Sequence, residues 1–489
     1  MCFKAVPRRV RSVLWWIRAT GGFAGASAIV LAALLLAAPV REAAAWGPHP
    51  EITRAAIKVL PDQARWKAAL GTENLAALAD YCWMPDWRGA DMGAYYADDY
   101  LLIRQMPRHV NHCMPEVRQT FVPYFRRALQ ALRTETPVNA CRQLGSLVHF
   151  VEDSGAPPHA REKCPHHSEL ENWVRAEQIV IKGYQPRLLG KTDAEAEAGF
   201  LRRMAGLVQF SKARAERALP LVSQPKPDRA QVEPIILESA LESARVTADV
   251  LYTLFTLGLG PQPEGASLLG TVTAATLPLR DNHGARIMLL NTDYATLANT
   301  ANPRPSASQW RGRYEFRNLP PGTYRVLAYR TGSQFRISQP IRLESGQQTR
   351  LDIDLPATNP AGNIIENPDG RLESLQPGVA DRWTVVSTGN PSLWTSTAAY
   401  VAPHMTYRFG AVLKDPTAKV QFVFQARPAP KDKRAKPLIV PLRRDGKLRG
   451  ELTTTLDADR WTVVVQVRSS RPLTQAIENV WVVPEVDSH

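Results

Sequence analysis

Apolar residues recur at two different spacings along this chain. In the first half they recur every three or four positions, as at Phe121, Tyr124 and Phe125, which is the period of a helix with one buried face. In the second half, residues 323–330 (TYRVLAYR) and 350–355 (RLDIDL) alternate apolar with polar side chains, as half-buried strands do. The pattern therefore predicts a mainly helical region followed by a β-rich region.

Two stretches rich in turn-forming residues divide the chain further. Residues 261–267 (PQPEGAS) and 356–363 (PATNPAGN) have the composition of linkers. They predict a helical domain over residues 46–260 and two β-sandwich domains over residues 268–356 and 363–489. The expected fold class is therefore multidomain, with an all-α domain followed by two β-sandwiches.

The first 45 residues have the pattern of a secretory signal peptide. An arginine-bearing start leads into an apolar run over residues 21–40 and then into Ala43, Ala44 and Ala45, which form a small-residue cleavage site. Cleavage there would leave Trp46 as the first residue of a secreted or periplasmic protein. Because the apolar run is almost long enough to cross a bilayer, an uncleaved segment would instead tether the protein to a membrane.

Composition and charge narrow the function only slightly. With 44% apolar and 22% charged residues, the chain is ordinary globular protein, and no long part is expected to be disordered. The formal net charge is +14, of which the signal segment carries +5. The remaining charge of about +9 favours anionic partners such as phosphates or membrane surfaces. It does not distinguish nucleic acid from lipid.

Four cysteines remain after the signal segment, namely Cys82, Cys113, Cys141 and Cys164. An even number of cysteines in an exported protein predicts two disulfides, with three possible connectivities. All four also lie among the candidate metal ligands described next, so they could instead bind metal.

The most informative stretch is residues 144–174 (LGSLVHFVEDSGAPPHAREKCPHHSELENWV). His149 and Asp153 stand four residues apart, as do His167 and Glu171, so each pair lies on one helix face. The intervening GAPPH breaks the helix. Imidazole and carboxylate ligands suit zinc, particularly in open catalytic sites. A solvated histidine-rich loop would not explain why seven of the ten histidines lie between positions 49 and 167.

The helical region resembles the superfamily of zinc-dependent phospholipase C and S1/P1 nucleases. The resemblance covers roughly residues 46–257 and rests on an ordered combination: Trp46 at the predicted mature terminus, a histidine shortly after it, then H-x3-D-x5-H and H-x3-E. It implies an all-α domain with three zinc ions in a cleft, followed here by the two β-sandwiches.

The resemblance also implies a ligand set for each ion. Trp46 would bind one zinc through its α-amino nitrogen and carbonyl oxygen, helped by His49. Asp153 would bridge that ion to a second, which is also held by His149, Asp86 and a histidine of PRHVNHCMPE. The third ion would be held by His159, His167 and Glu171.

Two of these assignments leave an alternative open. Either His109 or His112 could be the histidine of PRHVNHCMPE, and we favour His112 because it abuts the following helix. Asp86 lies in a turn similar to the family's aspartate loop, with Asp80 as the alternative. The resemblance further suggests that Asp86 doubles as general base, although a role as ligand alone is about equally well supported.

The chemistry implied by the resemblance is hydrolysis of a phosphate ester. Zinc lowers the pKa of a bound water to about 7, so no protein nucleophile is needed, and the chain contains no GxSxG motif. Glu171 as the final ligand resembles the phospholipase branch, which predicts cleavage of phospholipid headgroups. A secreted nuclease that prefers single strands is the second hypothesis. The third is a surface-binding protein with only structural zinc, although structural sites are usually closed by four protein ligands.

The β-rich region carries two weaker resemblances. Residues 312–355 look like the immunoglobulin-type, carboxypeptidase regulatory-like domain that is appended to secreted proteins. The last segment opens with NIIENPDGRLE and is similar to jelly-roll carbohydrate-binding modules. Exposed tryptophans there, with Trp383, Trp394 and Trp461 as candidates, could stack on sugars or insert at a membrane surface, but tryptophans in such domains more often belong to the core.

Overall fold

In the computed structural model, the described residues are 48–82, 85, 111–274, 285–298, 312–330, 332–373, 378–380, 383–387, 389–396, 399–401, 406–427, 438–441, 450–453 and 460–484. The predicted signal peptide, Trp46, Asp86 and His109 lie outside these residues. Helices come first and strands follow from residue 266, so the predicted fold class is confirmed. Among the described residues, no helix is both long and apolar enough to cross a membrane.

The helical region surrounds one buried helix. Its helices are α1 (His49–Lys58), α2 (Gln63–Leu70), α3 (Thr72–Tyr81), α4 (Arg118–Thr134), α5 (Pro137–Gly155), α6 (His167–Asn172), α7 (Asp193–Val222) and α8 (Arg229–Gly258). Helix α5 contacts α3, α4, α7 and α8, and every residue from Asn139 to Gly155 is buried. Polar side chains on such a helix must find partners inside the protein, because an unpaired buried polar group is costly.

A glycine allows α5 to approach the end of α3 closely. A Cβ at Gly145 would lie 2.4 Å from the Cβ of Tyr81, which is far inside van der Waals contact. Only glycine therefore fits at this crossing. The close approach brings the backbone of Cys82, the residue after α3, against α5 at the level of His149, where its carbonyl contacts the ring.

The first β unit consists of two facing four-stranded sheets and a two-stranded sheet formed by its fifth and eighth strands. Its strands are β1 (Ala266–Ala274), β2 (Arg286–Leu289), β3 (Ala295–Leu297), β4 (Arg313–Leu319), β5 (Gly322–Tyr324), β6 (Val326–Tyr329), β7 (Arg336–Ile337), β8 (Ile341–Leu343), β9 (Gln348–Arg350) and β10 (Ile353–Leu355). One sheet has the order β10-β1-β4, with β9 also paired to β1, and another has the order β3-β2-β6-β7. Leu268, Ile287, Phe316 and Val326 are fully buried between them.

The second β unit is built from two more sheets. Its elements are β11 (Trp383–Ser387), β12 (Ser392–Ser396), β13 (Ala399–Val401), β14 (Thr406–Leu413), β15 (Lys419–Arg427), β16 (Leu438–Pro441), β17 (Gly450–Thr453), β18 (Arg460–Ser469), α9 (Leu473–Ala476) and β19 (Ile477–Pro484). The sheets have the orders β11-β12-β18-β15-β16 and β17-β14-β19. Trp383 and Trp394 are 0% and 7% exposed. Both belong to the core, so neither can stack on a sugar. The structure describes the backbone of Trp461 but not its side chain.

Buried polar contacts join the helical region to the first β unit. Arg127 of α4 pairs with Glu135, with both side chains at most 3% exposed, and donates to the carbonyl oxygen of Ala295 at 2.9 Å. The side-chain amide of Asn139 donates to Thr296 Oγ1 at 2.7 Å. Residues Ala44–His489 accordingly form one compact unit.

The two disulfides expected from the cysteine count are not formed in the structure. Cys82, Cys113, Cys141 and Cys164 are all free thiols. Cys82 and Cys141 are fully buried within the helical core, where a free cysteine packs as a small apolar residue. The thiol of Cys82 donates to the carbonyl oxygen of Ala79 at 3.0 Å, so it already has a local partner.

Candidate metal centre

The predicted ligands within the described residues converge around the second half of α5. They come from α1 (His49), the segment before α4 (His112), α5 (His149 and Asp153), the loop after α5 (His159) and α6 (His167 and Glu171). All but one are buried, with exposures of at most 3%. The exception is His167, whose side chain is 30% exposed. The group is therefore a buried polar cluster that reaches solvent at His167.

Three of these side chains form a first cluster of ligand atoms. Asp153 Oδ2 lies 2.9 Å from His112 Nδ1 and 3.0 Å from His149 Nε2, and the two ring nitrogens are 3.0 Å apart. A tetrahedral zinc ion with ligands at about 2.0–2.1 Å holds them roughly 3.3 Å from one another. The spacing of His112, His149 and Asp153 therefore fits one zinc ion.

A second cluster has the same geometry and comes from the loop after α5 and from α6. Glu171 Oε1 lies 2.7 Å from His159 Nε2 and 2.9 Å from His167 Nε2, and the two nitrogens are 3.1 Å apart. The other oxygen of Glu171, Oε2, is buried without a hydrogen-bond partner. One cation can bind the two imidazole nitrogens and the carboxylate oxygen together. The two nitrogens are poorer partners for a hydrogen bond with each other.

Asp153 connects the first cluster to two further histidines. While its Oδ2 belongs to the first cluster, its Oδ1 lies 3.3 Å from His49 Nε2 and 3.5 Å from His159 Nδ1. This oxygen is also buried without a hydrogen-bond partner. The two oxygens of one carboxylate thus face different groups of nitrogens, as a bridging ligand requires.

Two histidine rings are oriented by groups outside the clusters. His149 Nδ1 lies 2.7 Å from the carbonyl oxygen of Cys82, and because a carbonyl only accepts, Nδ1 must donate. In the neutral ring the lone pair is therefore on Nε2, which faces Asp153. His49 Nδ1 lies 2.6 Å from Glu152 Oε2. Such outer partners fix the tautomer and orientation of metal-binding histidines.

Glu152 was not among the predicted site residues. It is fully buried, and its second oxygen accepts from Thr53 Oγ1 at 2.6 Å. The available signal was a carboxylate directly before Asp153, on a helix in which Phe150 and Val151 precede it. Its partner His49 is 103 residues away, so the contact itself could be seen only in the folded chain.

The charges of the cluster are strongly coupled. Burial lowers the pKa of His49, but the adjacent carboxylates of Asp153 and Glu152 outweigh it and raise the pKa to about 10. Burial raises the pKa of Glu152 to about 7, against the opposing effect of His49. Burial also raises the pKa of Asp153, yet the charges of His149 and His159 hold that pKa well below its usual range.

The other predicted ligands and their alternatives lie in the first cluster, at the surface or outside the described residues. His112 belongs to the first cluster, whereas its alternative His109 lies outside the described residues. Trp46 and Asp86 lie outside them as well. Asp80, the alternative to Asp86, has a side chain that is 52% exposed and lies 3.7 Å from Arg54, so it is a surface residue.

The thiol of Cys113 adds a donor that the resemblance does not include. One ligand atom from each of Cys113, His159 and His167 lies within 4.8 Å of the others. Burial, followed by the charges of Asp153 and Glu171, raises the pKa of Cys113 to about 12. The negative charges of the carboxylates that contact these histidines therefore also act on this thiol.

Comparisons with known proteins give one match to a family and several distant structural similarities. The family model described as carboxypeptidase regulatory-like domain matches residues 267–356. A search of curated proteins found no match. The alpha-toxin of Clostridium perfringens (avian strain SWCP) is 12% identical over 61% of this chain and 97% of the toxin, with a TM-score of 0.35.

Two further solved structures are equally remote. The alpha-toxin of Clostridium absonum is 12% identical over 61% of this chain and 98% of the toxin, with a TM-score of 0.34. A putative carbohydrate-binding protein of Bacteroides uniformis is 10% identical over 45% of this chain and 98% of that protein, with a TM-score of 0.18. None of these structural similarities is close enough to carry a functional argument.

Proposed function

We propose that this protein is an exported, zinc-dependent phosphodiester hydrolase of phospholipase C type, which cleaves phospholipid headgroups. The observation that carries the proposal is the position of Asp153. Its two carboxylate oxygens face separate groups of imidazole nitrogens inside a buried cluster, which is the arrangement needed to hold two ions side by side.

The ligand types favour hydrolysis over a purely structural role. The first cluster offers nitrogen and oxygen donors from three residues within 3.0 Å of one another, and zinc sites with three such ligands keep a position for water or substrate. The side chain of His167 is 30% exposed, so the second cluster borders solvent.

Zinc held there would activate water and stabilise negative charge on a phosphoryl group. The chain's own contribution is to hold the ligand atoms in place. Cys82 and Glu152 orient the rings of His149 and His49, while the negative charge of Asp153 is kept by the surrounding histidines. Asp86 is proposed as a further ligand and as general base, and Trp46 as the terminal ligand.

The substrate and location belong to the same proposal. Glu171 as the last ligand favours a phospholipid substrate, and the net charge of about +9 on the mature chain favours binding to a membrane surface. The β units would increase the residence of the enzyme on such a surface or on carbohydrate. Burial of Trp383 and Trp394 means that any sugar-binding side chains in the last unit must be others.

The test is a paired assay on purified protein that begins at Trp46. Hydrolysis of phosphatidylcholine vesicles and of denatured DNA is measured with and without a chelator. We expect chelator-sensitive release of the lipid headgroup and little cleavage of DNA. The reverse preference would favour the nuclease hypothesis, and activity that survives complete removal of metal would exclude both.

A pair of adjacent histidines supplies a matched control for this assay. His167→Asn removes a ligand atom of the second cluster, whereas His166→Asn changes its neighbour, which has no ligand role in the proposal. His166 has a φ of 57°, a conformation that asparagine tolerates. We expect only the variant at position 167 to lose metal and activity.

A further inference from the structure

Cys113 is fixed beside the second cluster by the backbone on both of its sides. Its own N–H donates to Asn111 Oδ1 at 3.0 Å, and the N–H of Met114 donates to the carbonyl oxygen of His159 at 2.8 Å. This second bond joins the segment of Cys113 directly to the segment of a cluster ligand. The thiol therefore stays near His159 and His167, within the 4.8 Å separation of their ligand atoms.

A single cysteine does not form a metal site, but the groups around Cys113 independently indicate a bound cation. Glu171 is fully buried, and its Oε2 has no hydrogen-bond partner. His159 is 1% exposed, and its Nδ1 faces Asp153 Oδ1 at 3.5 Å. Its other nitrogen, Nε2, lies 3.1 Å from His167 Nε2. A buried carboxylate and two facing imidazoles are poorly satisfied by hydrogen bonds alone.

We propose that Cys113 is the fourth protein ligand of the ion held by His159, His167 and Glu171. The proposal rests on the proposed function only in requiring an ion at this cluster. On binding, the thiol proton passes to solvent and a sulfur–metal bond forms, because a coordinating thiol is deprotonated. Four protein ligands would close this site, so the open positions needed for hydrolysis would belong to the ions at Asp153.

A thiolate ligand has a consequence for metal choice. Sulfur donors favour zinc and other soft or borderline metals over magnesium and calcium. The second cluster should therefore retain zinc more selectively than the ligands around Asp153, which are nitrogen and oxygen atoms only.

The experiment replaces zinc by cobalt in the protein that begins at Trp46. Cobalt(II) shows visible d–d bands wherever it is bound, but a sulfur-to-cobalt charge-transfer band in the near ultraviolet only where a thiolate is a ligand. We expect this band in the wild-type protein and its loss in Cys113→Ser, with the visible bands retained. One equivalent of cobalt should also bind at least roughly tenfold more weakly, since even the loss of an outer partner has that effect.

Cys164→Ser is the matched control, because Cys164 is a half-buried thiol of the same region without a place in the cluster. It should keep the charge-transfer band. Bound cobalt without the band in the wild-type protein would overturn the role of Cys113 while leaving the metal centre intact. Absence of any bound cobalt would overturn the proposed function as well.

Two further measurements use only the wild-type protein, so they do not depend on whether a variant folds. Cadmium-113 NMR should show one resonance displaced downfield by a sulfur ligand. Titration of the denatured protein with a thiol reagent should count four free thiols. Two missing thiols together with no downfield resonance would mean that Cys113 is in a disulfide, which contradicts the proposal.

Discussion

His49 Nδ1 lies 2.6 Å from Glu152 Oε2, and both side chains are fully buried. The contact joins the start of α1 to the last turn of the ligand-bearing helix α5. Because Glu152 also accepts from Thr53, both of its oxygens are used. Glu152 therefore positions His49 through Nδ1, while Asp153 lies near Nε2 of the same ring. The effect of Glu152 on zinc binding can be tested.

Glu152→Gln should weaken zinc binding while leaving every direct ligand in place. The amide cannot hold the imidazole N–H as strongly as a carboxylate does, and loss of such an outer partner typically lowers metal affinity by about 10–100-fold. Zinc affinity measured by competition with a chromophoric chelator gives the result. Thr53→Ser, which keeps the hydroxyl, is the control. An unchanged affinity would show that Glu152 only fills space.

Asp153→Asn should remove more metal than Glu171→Gln. Asp153 offers its oxygens to two groups of ligands, whereas Glu171 contacts His159 and His167 of one cluster. Elemental analysis after dialysis should therefore show a loss of about two ions from the first variant and about one from the second. Equal losses would contradict the bridging role of Asp153.

Gly145→Ala should destabilise the helical region and disturb His149. The added methyl group would lie 2.4 Å from the Cβ of Tyr81, so α3 and α5 must separate, which moves the Cys82 carbonyl away from the ring. Overpacking of this kind costs about 1–3 kcal/mol. Thermal unfolding with and without zinc is the measurement.

Gly206→Ala is the control for that variant. Gly206 lies inside α7, and nothing is within 4 Å of a Cβ at that position. Alanine there should stabilise the protein by about 0.5–1 kcal/mol, because glycine in a helix loses more conformational entropy on folding. Similar destabilisation by both substitutions would show that the close approach of Tyr81 is not the cause.

The fold class and the local ligand pairs were predictable from the sequence, because each depends on a short period. The spacing of four between His149 and Asp153, and between His167 and Glu171, determines a shared helix face wherever the helix lies. Glu152 could not be recognised in the same way, since its role requires His49 from a distant helix. The free state of the thiols could not be predicted either. The burial of Cys82 and Cys141 depends on tertiary packing, whereas the prediction of disulfides used only the even number of cysteines.

A chain that ends at Gly260 should keep its zinc but lose stability. All predicted ligands precede that residue, but Arg127 would lose the Ala295 carbonyl and Asn139 would lose Thr296 and Leu297. These three hydrogen bonds contribute about 1 kcal/mol each. The shortened protein should therefore unfold at a lower temperature at equal zinc content. Identical stability would mean that the helical region folds independently of the first β unit.

The predicted terminus gives the sharpest test of the ion proposed at Trp46 and His49. An α-amino group binds zinc only as a neutral amine, and its pKa of about 8 allows a nearby cation to displace the proton at neutral pH. The same nitrogen within a peptide bond is a poor ligand, because its lone pair is delocalised. His49 begins α1 only three residues after Trp46, and its Nε2 lies 3.3 Å from Asp153 Oδ1.

Protein that starts at Trp46 is therefore compared with protein that carries one additional N-terminal methionine. We expect the extended form to fold normally, to bind about one zinc ion fewer and to lose most of its hydrolytic activity. Circular dichroism verifies folding, and elemental analysis counts the metal. If the extension changes neither zinc content nor turnover, Trp46 is not a ligand, and the ion beside His49 must be held by other groups. The dependence on a free terminus would also explain how such an enzyme stays inactive before export, because its metal centre is completed only by cleavage of the signal peptide.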